Sequence, residues 1–437
     1  MLARGQSVGG ERGKLPRWLK IESANKRPAA VSPLQLRVAG LAGLALGLSL
    51  AGDASLYAVL PSRPAAAGVD LAAVGLLLSL NRLVRLGFNP LSGLLYDRFG
   101  RRRLYTLALV LGTASTAMYA TAPGLGPFLA ARAVWGASWA LILVGAYSML
   151  MDVASPENRG LLSGTLQTAY FLGAAFGMVG AWLADAFDFR TAMFVCAGIT
   201  ALGVGATLGL PETHPPANRG APPPRPAGAT RSWRGLLVIN VLYALGFFCA
   251  NGVFYSTLGR YLNEGWGTVV TLGNLRVGVT TLTGSLLLVR SLMGLLAGPV
   301  AGRLSDRLGR WQVAAACALV SGIGFLGLAS QHVLLALAGG AALLLGIPAM
   351  VAILAALTGD RSDSRGYGVA FGGLATFGDA GAAAGPLLGY ALLARNVPLG
   401  CIYTGCGCAL LLGAVVAWRT GARRTHSGRG HDCRRAD

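Results

Sequence analysis

The chain contains a series of apolar segments, each long enough to cross a lipid bilayer. A helix of about 20 mostly apolar residues spans the hydrocarbon core, and such segments recur along nearly the whole 437-residue chain. Only 12% of the residues are charged, whereas a soluble domain has about 25%. We therefore predict an all-α integral membrane protein with twelve transmembrane helices, over residues 36–60, 71–96, 104–122, 127–151, 161–184, 191–210, 235–259, 279–302, 312–330, 333–357, 367–393 and 398–418.

The basic excess of the chain is a topology signal. A formal net charge of +20 would by itself suit a nucleic-acid-binding protein. Of the 37 Lys and Arg, however, five fall in the loops of one face and four deep within spans, so most lie on the other face. Cytoplasmic loops are enriched in Lys and Arg. We therefore expect a multi-pass protein of the inner (cytoplasmic) membrane, surrounded by lipid, with both termini cytoplasmic and no nucleic-acid partner.

A basic, Pro-rich segment at 211–234 divides the spans into two sets of six. Pro-rich chain adopts extended conformations and acts as a spacer. The expected organisation is a basic N-terminal segment 1–35, a six-helix bundle 36–210, a cytoplasmic linker 211–234, a second six-helix bundle 235–418 and a basic cytoplasmic tail 419–437. We expect the tail to lack regular structure.

The two sets of spans carry the same motifs at equivalent places. Gly93–Arg101 reads GLLYDRFGR after span 2, and Gly302–Arg310 reads GRLSDRLGR after span 8. Residues 52–57 of span 1 align with residues 250–255 of span 7. Internal repeats of this kind are typical of secondary transporters.

The first copy of the loop motif, G-x-L-x-D-R-x-G-R, resembles the signature loop of the major facilitator superfamily, and the second copy is a weaker version of it. With the twelve spans and the central linker, the resemblance covers about residues 35–418. It implies a secondary transporter, not an enzyme, with two pseudo-symmetric six-helix bundles around a central cavity that opens alternately to each side.

In the superfamily, this loop holds the halves together when the cavity faces outward. We expect Gly93 to allow a close helix approach, Gly100 to allow a tight turn, and Asp97 to bind backbone N–H groups at the start of span 11. Arg101 is expected to pair with Asp152. The alternative is a solvated basic loop that only sets topology. The predicted cytoplasmic gate consists of Gly93, Asp97, Arg98, Gly100, Arg101 and Asp152, and in the second half of Gly302, Asp306, Arg310 and Asp360.

Polar side chains recur every four residues along spans 1, 2 and 7, a spacing that places them on one helix face. A charge at the bilayer centre costs about 2.5–3.5 kcal/mol, so each ionisable residue there is a functional candidate. The alternatives are a hydrogen-bonded seam between helices and, for Arg85, a side chain that extends to the membrane surface. The predicted substrate cavity consists of Ser49, Tyr57, Asn81, Arg82, Arg85, Asn251, Tyr255, Arg290 and Asp379.

Asp53 in span 1 and Arg132 in span 4 are the predicted proton-coupling pair. Counting about 1.5 Å per residue from the span ends places both in the outer third of the hydrocarbon core. Burial favours the protonated acid, whereas a nearby arginine favours the carboxylate. Arg132 also falls in a segment that resembles the helix 4 motif of the superfamily. In exporters of the superfamily, the arginine of this motif is often linked to proton movement. The alternative is a fixed salt bridge that joins two helices.

One departure from the superfamily pattern concerns the helix 5 motif G-x-x-x-G-P-x-x-G, which is typical of antiporters. Span 5 has Gly173 and Gly177 without the proline, and a G-P version stands in span 11 at residues 381–389. The departure argues against a standard drug–proton antiporter. The glycines themselves are suited to close helix packing.

We predict proton-coupled efflux of a small organic solute. The alternative is uptake or exchange of an organic anion, because four in-span arginines outnumber Asp53 and Asp379. A membrane enzyme is disfavoured because all four histidines lie outside the spans. A primary pump is disfavoured because the sequence contains no phosphate-binding loop of the G-x-x-x-x-G-K-S/T type. A non-transporting sensor of the same fold stays open. We expect a monomer that uses a small solute and protons, with no cofactor and no metal site.

Overall fold

The computed structural model describes residues 31–122, 124–155, 158–213, 233–272, 275–330, 332–361 and 367–432. These residues form twelve long helices, a two-stranded hairpin and two short 3-10 turns. The helices are α1 (Pro33–Ser62, interrupted at Leu50), α2 (Leu71–Arg98), α3 (Arg101–Thr121), α4 (Leu125–Val153), α5 (Arg159–Ala174 and Phe176–Ala186), α6 (Phe189–Ala206), α7 (Trp233–Phe247, a π-helical turn Phe248–Phe254, then Tyr255–Trp266), α8 (Val279–Leu308), α9 (Arg310–Ala329), α10 (Val333–Arg361), α11 (Tyr367–Ala394) and α12 (Leu399–Asp432). The strands are β1 (Val269–Leu272) and β2 (Leu275–Gly278), and the 3-10 turns are Pro64–Ala67 and Thr207–Gly209.

The length and surface of the helices fit a lipid environment. Among the described helices, all except α11 are both long and apolar enough to cross a membrane. α11 has the length, 28 residues, but contains Asp379 and many glycines. Leu202 is 66% exposed and Leu334 81% exposed. Lipid tails accommodate such side chains, because they are as apolar as leucine itself.

We refer to the two ends of the helix bundle as the motif end and the hairpin end. The motif end carries the α2–α3 and α8–α9 loops, and the hairpin end carries β1 and β2, in which Val269 pairs with Gly278. Each set of six helices has its own core. Tyr105 and Trp135 are buried in the first half, and Phe325 and Tyr403 stack edge to face, with ring centroids 5.8 Å apart, in the second.

Glycines join equivalent helix pairs in the two halves. Gly47 of α1 faces Gly173 of α5, and Gly252 of α7 faces Gly385 of α11. A Cβ atom added to Gly173 or Gly385 would lie only 2.4 or 2.3 Å from the Cα of the facing glycine. The close packing expected at these positions is present, whereas Gly389 has open space around it.

Local capping explains where two of the helices begin. Ser32 caps α1 by accepting a hydrogen bond from the Gln35 backbone N–H (3.3 Å), while the Gln35 side chain accepts from the Ser32 N–H (2.9 Å). Asp188 caps α6 by accepting from the Thr191 backbone N–H at 2.8 Å. This bond, and a second one from the Thr191 hydroxyl, hold the pKa of Asp188 below its usual value.

The helices extend further than hydropathy predicted. Span 7 was expected to end at residue 259, but α7 continues to Trp266 and is followed by the hairpin. The tail after residue 418 was expected to be irregular, and this was wrong as far as Asp432, where α12 ends. Extending an existing helix needs no new nucleus, so a polar sequence continues a helix that packing has already formed.

Candidate functional site

A cavity of about 60 Å³ lies between the two halves, close to the middle of α1, α2, α7 and α8. A larger cavity of about 580 Å³ lies within the second half at the hairpin end, and its charged residues Arg260 and Glu264 already pair with each other at 2.6 Å. Unlike the larger cavity, the central cavity is lined by residues of both halves. Its polar lining comes from Asp53, Tyr57, Arg82 and Tyr170 in the first half and from Asn251, Tyr255, Arg290 and Ser291 in the second.

One wall of the central cavity holds the Asp53–Arg132 ion pair. Arg132 Nη1 lies 2.5 Å from Asp53 Oδ1, and Arg132 Nε donates to the Leu77 carbonyl at 2.7 Å. The Arg132 side chain is fully buried, whereas the Asp53 side chain is 16% exposed. Asn81 Nδ2 donates to the same carboxylate at 3.3 Å. The carboxylate therefore faces the cavity, and the arginine holds it from behind.

A second ion cluster joins α2 to α11, and therefore one half to the other. Asp379 Oδ1 lies 2.9 Å from Arg85 Nη2 and 3.6 Å from Arg82 Nη1, and Asn89 Nδ2 donates to its other oxygen at 3.4 Å. The Asp379 side chain is only 6% exposed. Arg82 Nε also contacts the Tyr57 hydroxyl at 3.3 Å. Arg85 therefore points to an acid in the other half, not to the membrane surface.

The opposite wall of the cavity holds Arg290. Its Nη2 donates to Asn251 Oδ1 at 2.5 Å, and its guanidinium lies 4.1 Å from the centre of the Tyr255 ring. No carboxylate pairs with Arg290 among the residues that the structure describes. Arg290 thus contacts an amide and an aromatic ring, neither of which carries a net charge.

Several residues predicted for the substrate cavity lie elsewhere. Ser49 is fully buried and donates to the Leu46 carbonyl of its own helix, and Asn81 is 2% exposed behind Asp53. Arg85 and Asp379 form the α2–α11 cluster beside the cavity. The predicted residues that do line the cavity are Tyr57, Arg82, Asn251, Tyr255 and Arg290.

Some lining residues were not predicted from the sequence. Tyr170 of α5 and Leu287 of α8 contribute to the wall. Leu287 lies three residues before Arg290 on the same helix face, so the helical period of α8 could have identified it. The α5–α8 contact is close: a Cβ atom added to Gly284 would lie 2.7 Å from the Ala181 Cβ.

At the motif end, the predicted ion pairs are present within each half. Arg101 Nε lies 3.0 Å from Asp152 Oδ2, and Arg310 Nη1 lies 2.7 Å from Asp360 Oδ2. Asp306 contacts Arg310 more loosely, at 3.7 Å. Arg98 is exposed on the last turn of α2. Asp97 belongs to the same turn, but its predicted partner, the start of span 11 near Gly366, lies outside the described residues.

Gly93 and Gly100 at the motif end were expected to allow a close helix approach and a tight turn. Gly93, like Gly302, has no described atom within 4 Å of the position that a Cβ would take. Gly100 has an ordinary φ of −59°. Its missing side chain instead makes room for Glu212, which accepts hydrogen bonds from the backbone N–H of Arg101 at 2.7 Å and caps α3.

The hairpin end joins the two halves through Asp185 of α5. Its Oδ2 accepts hydrogen bonds from both the backbone N–H and the hydroxyl of Thr281 in the first turn of α8, each at 2.7 Å. Its Oδ1 pairs with Arg63 at 3.0 Å. A carboxylate at a helix N-terminus is favoured by the helix dipole. Asp185 therefore fastens the start of α8 to the opposite half.

Other cross-half contacts lie at the same end. The Ser62 and Thr280 hydroxyls are 3.1 Å apart, and Ser79 donates to the Ala383 carbonyl at 2.6 Å. These contacts close the central cavity toward the hairpin end.

Asp185→Asn is expected to loosen this closure. The substitution removes the charge that interacts with Arg63 and the α8 dipole, which is worth about 1–2 kcal/mol in a partly buried setting. A shift of that size changes the ratio of open to closed states about 5- to 30-fold. The measurement is the alkylation rate of Thr280→Cys, a buried position, from the hairpin side.

Asp188→Asn is the matched control, because Asp188 caps α6 within its own half. Equal alkylation rates in the Asp185 and Asp188 variants would show that Asp185 does not hold the hairpin end closed.

The family of the chain follows from comparison with known proteins. The model of the Major Facilitator Superfamily matches residues 42–274 and 272–432. The chain belongs to the major facilitator superfamily. The all-α fold with two six-helix bundles and the resemblance seen in the loop motif are thereby confirmed. As a member of this superfamily, it is a multi-pass membrane transporter of small solutes and not an enzyme.

Curated relatives within the superfamily are resistance proteins. The Tetracycline resistance protein, class C, of Escherichia coli is 26% identical over 354 residues, which cover 78% of this chain and 84% of that protein. The Multidrug resistance protein MdtG of Escherichia coli (strain K12 / DH10B) is 27% identical over 361 residues, which cover 80% of this chain and 85% of that protein. The similarity to efflux-type members therefore extends over both halves.

Solved superfamily structures share the fold. The human organic anion transporter MFSD10 (TETRAN) matches with a TM-score of 0.65 and 20% identity over 88% of this chain and 100% of that chain. A POT family transporter in complex with 5-aminolevulinic acid matches with a TM-score of 0.73 and 10% identity over 88% of this chain and 96% of that chain. At these identities the likeness concerns the fold alone.

Proposed function

We propose that the protein exports a small organic solute in exchange for protons by alternating access. The observation that carries this proposal is the Asp53–Arg132 pair, whose carboxylate lines the central cavity while the arginine is fully buried behind it. A fixed structural salt bridge needs no access to the cavity. A proton-coupling acid needs it, because its proton must come from one side of the membrane and leave to the other.

The pair has the chemistry for this exchange. Arg132 stabilises the Asp53 carboxylate, whereas the loss of water on closure of the cavity favours the protonated acid. When the cavity opens to the side with more protons, Asp53 takes up a proton and Arg132 keeps its bond to the Leu77 carbonyl. When the cavity opens to the other side, the proton leaves and the ion pair forms again.

Export is the direction that the relatives support, since the curated relatives above are named for tetracycline and multidrug resistance. The alternative is uptake or exchange of an organic anion, which the uncompensated Arg290 favours as a binding chemistry. The two proposals differ in the direction of net solute movement.

Transport in inside-out vesicles separates the two. The vesicle lumen is acidified by respiration, and its pH gradient is followed with acridine orange while tetracycline or 1-naphthoate is added. Export by proton exchange releases luminal protons and restores fluorescence, with vesicles that lack the protein as the control. Uptake predicts accumulation in intact cells and no fluorescence change in the vesicles.

We propose an inner-membrane location with the motif end and both termini in the cytoplasm. We also propose a monomer, because one chain supplies both walls of the central cavity. The closed hairpin end of the central cavity would then face the outside of the cell. Arg225→Cys in the basic linker, in a variant without the seven native cysteines, is expected to react with an impermeant maleimide only in inside-out vesicles. Labelling in intact cells would contradict this topology.

A further inference from the structure

The two halves make an equivalent contact with the charges placed differently. Asp53 of α1 aligns with Asn251 of α7. In the first half, Asp53 accepts a hydrogen bond from Asn81 of α2 at 3.3 Å. In the second half, Asn251 accepts one from Arg290 of α8 at 2.5 Å. The first contact contains the carboxylate of Asp53, and the second contains the guanidinium of Arg290.

Only the acid of the first half has a charged partner. Asp53 is neutralised by Arg132, and Asp379 is shared by Arg85 and Arg82. Arg290 has no carboxylate partner among the described residues, as stated above. An uncompensated charge within a membrane is costly, and neither an amide nor an aromatic ring neutralises it. A charge kept at this cost is expected to meet an anion during the working cycle.

The backbone around Arg290 is also unusual. Asn251 lies within the π-helical turn Phe248–Phe254, and such turns occur mostly as single turns and frequently at functional sites. The turn places Asn251 against Arg290, and Tyr255 follows it directly over the guanidinium. Both contacts orient the guanidinium while it lines the cavity.

The central cavity offers space in front of Arg290. Its volume is about 60 Å³, whereas one water molecule needs about 10–15 Å³ of such space. A carboxylate or a sulfonate therefore fits beside the guanidinium.

We propose that Arg290, with Asn251 and Tyr255, binds the acidic head group of the transported solute, so that the substrate is an organic anion. This inference rests on the proposed transport function and names its substrate class. The guanidinium offers paired N–H donors to a carboxylate, a sulfonate or a phosphate monoester. Arg82, which already shares Asp379, lies across the cavity and adds positive potential.

The first experiment compares ligands of one shape and different charge. Binding of 1-naphthoate, 1-naphthalenesulfonate and the neutral 1-naphthamide to the purified full-length protein in nanodiscs is measured by calorimetry. The acids are expected to bind about 10- to 100-fold more tightly than the amide, the range for one charge-assisted contact. Equal binding of acid and amide, or no binding of either acid, overturns the proposal.

The second experiment changes the charge at the site in two ways. Arg290→Gln removes the cation, and Asn251→Asp supplies the carboxylate that the first half has at the equivalent position. Both are expected to weaken naphthoate binding about 10- to 100-fold and to leave naphthamide binding unchanged. The controls are Arg276→Gln and Asn396→Asp, which make the same substitutions at exposed sites.

Asn251→Asp keeps the test decisive if Arg290→Gln does not fold. It leaves Arg290 in place and neutralises its charge with a neighbouring carboxylate. Unchanged naphthoate affinity in Asn251→Asp overturns the proposal. The proton-exchange function is judged separately with acridine orange. Proton release by a neutral solute together with equal binding of acid and amide would leave the export proposal standing and the anion proposal refuted.

Discussion

Asp53→Asn is expected to abolish solute-driven proton release from inside-out vesicles while solute binding stays measurable. Asparagine is similar in shape to aspartate and can still accept hydrogen bonds from Arg132 and Asn81, so the wall of the cavity is kept. It cannot take up or lose a proton in the working range. Coupling needs that proton, so we expect the rate of proton release to fall by about two orders of magnitude or more, within the range lost when an acid–base group is removed.

Asp70→Asn is the control for this variant, since Asp70 is an exposed residue that precedes α2 and makes no capping bond. It is expected to release protons as the unmodified protein does. Binding of 1-naphthoate distinguishes lost coupling from a lost fold. If Asp53→Asn still releases protons with unchanged pH dependence, the Asp53–Arg132 pair is a fixed salt bridge that joins two helices.

Depth along a helix could be predicted from the sequence, and with it several contacts. Asp53 and Arg132 were placed at one level by counting residues from the span ends, and they form an ion pair. The pairing of Arg101 with Asp152, at the inner end of span 4, was expected from the loop motif instead, and it is present. Rise per residue is nearly constant in a helix, so residues that lie at one level on neighbouring helices can be recognised before the structure is known.

The lateral arrangement of the helices could not be predicted in this way. The partner of Arg85 is Asp379, on a helix of the other half, and nothing in residue spacing shows that α2 lies beside α11. Asp185 was missed because its role depends on the start of α8, which only the packing of α5 against α8 brings near.

Asp379→Asn is expected to destabilise the protein strongly. The substitution leaves Arg85 and Arg82, which are 14% and 15% exposed, without the carboxylate that they share. Removing one member of a buried ion pair costs about 3–5 kcal/mol, because the remaining charge is left without compensation. The free energy of unfolding in mixed micelles titrated with SDS measures the loss. Asp360→Asn is the control, since Asp360 pairs with Arg310 but is 49% exposed, and a surface pair is worth about 0–1 kcal/mol.

The double variant Arg85→Gln with Asp379→Asn tests whether the loss arises from uncompensated charge. It removes one positive charge together with the negative one, and glutamine and asparagine can still hydrogen-bond to each other across α2 and α11. We expect it to recover more than half of the stability lost in Asp379→Asn, because replacing a buried pair by neutral residues is often close to neutral. A double variant as unstable as Asp379→Asn alone would show that the loss does not arise from the uncompensated charge of Arg85.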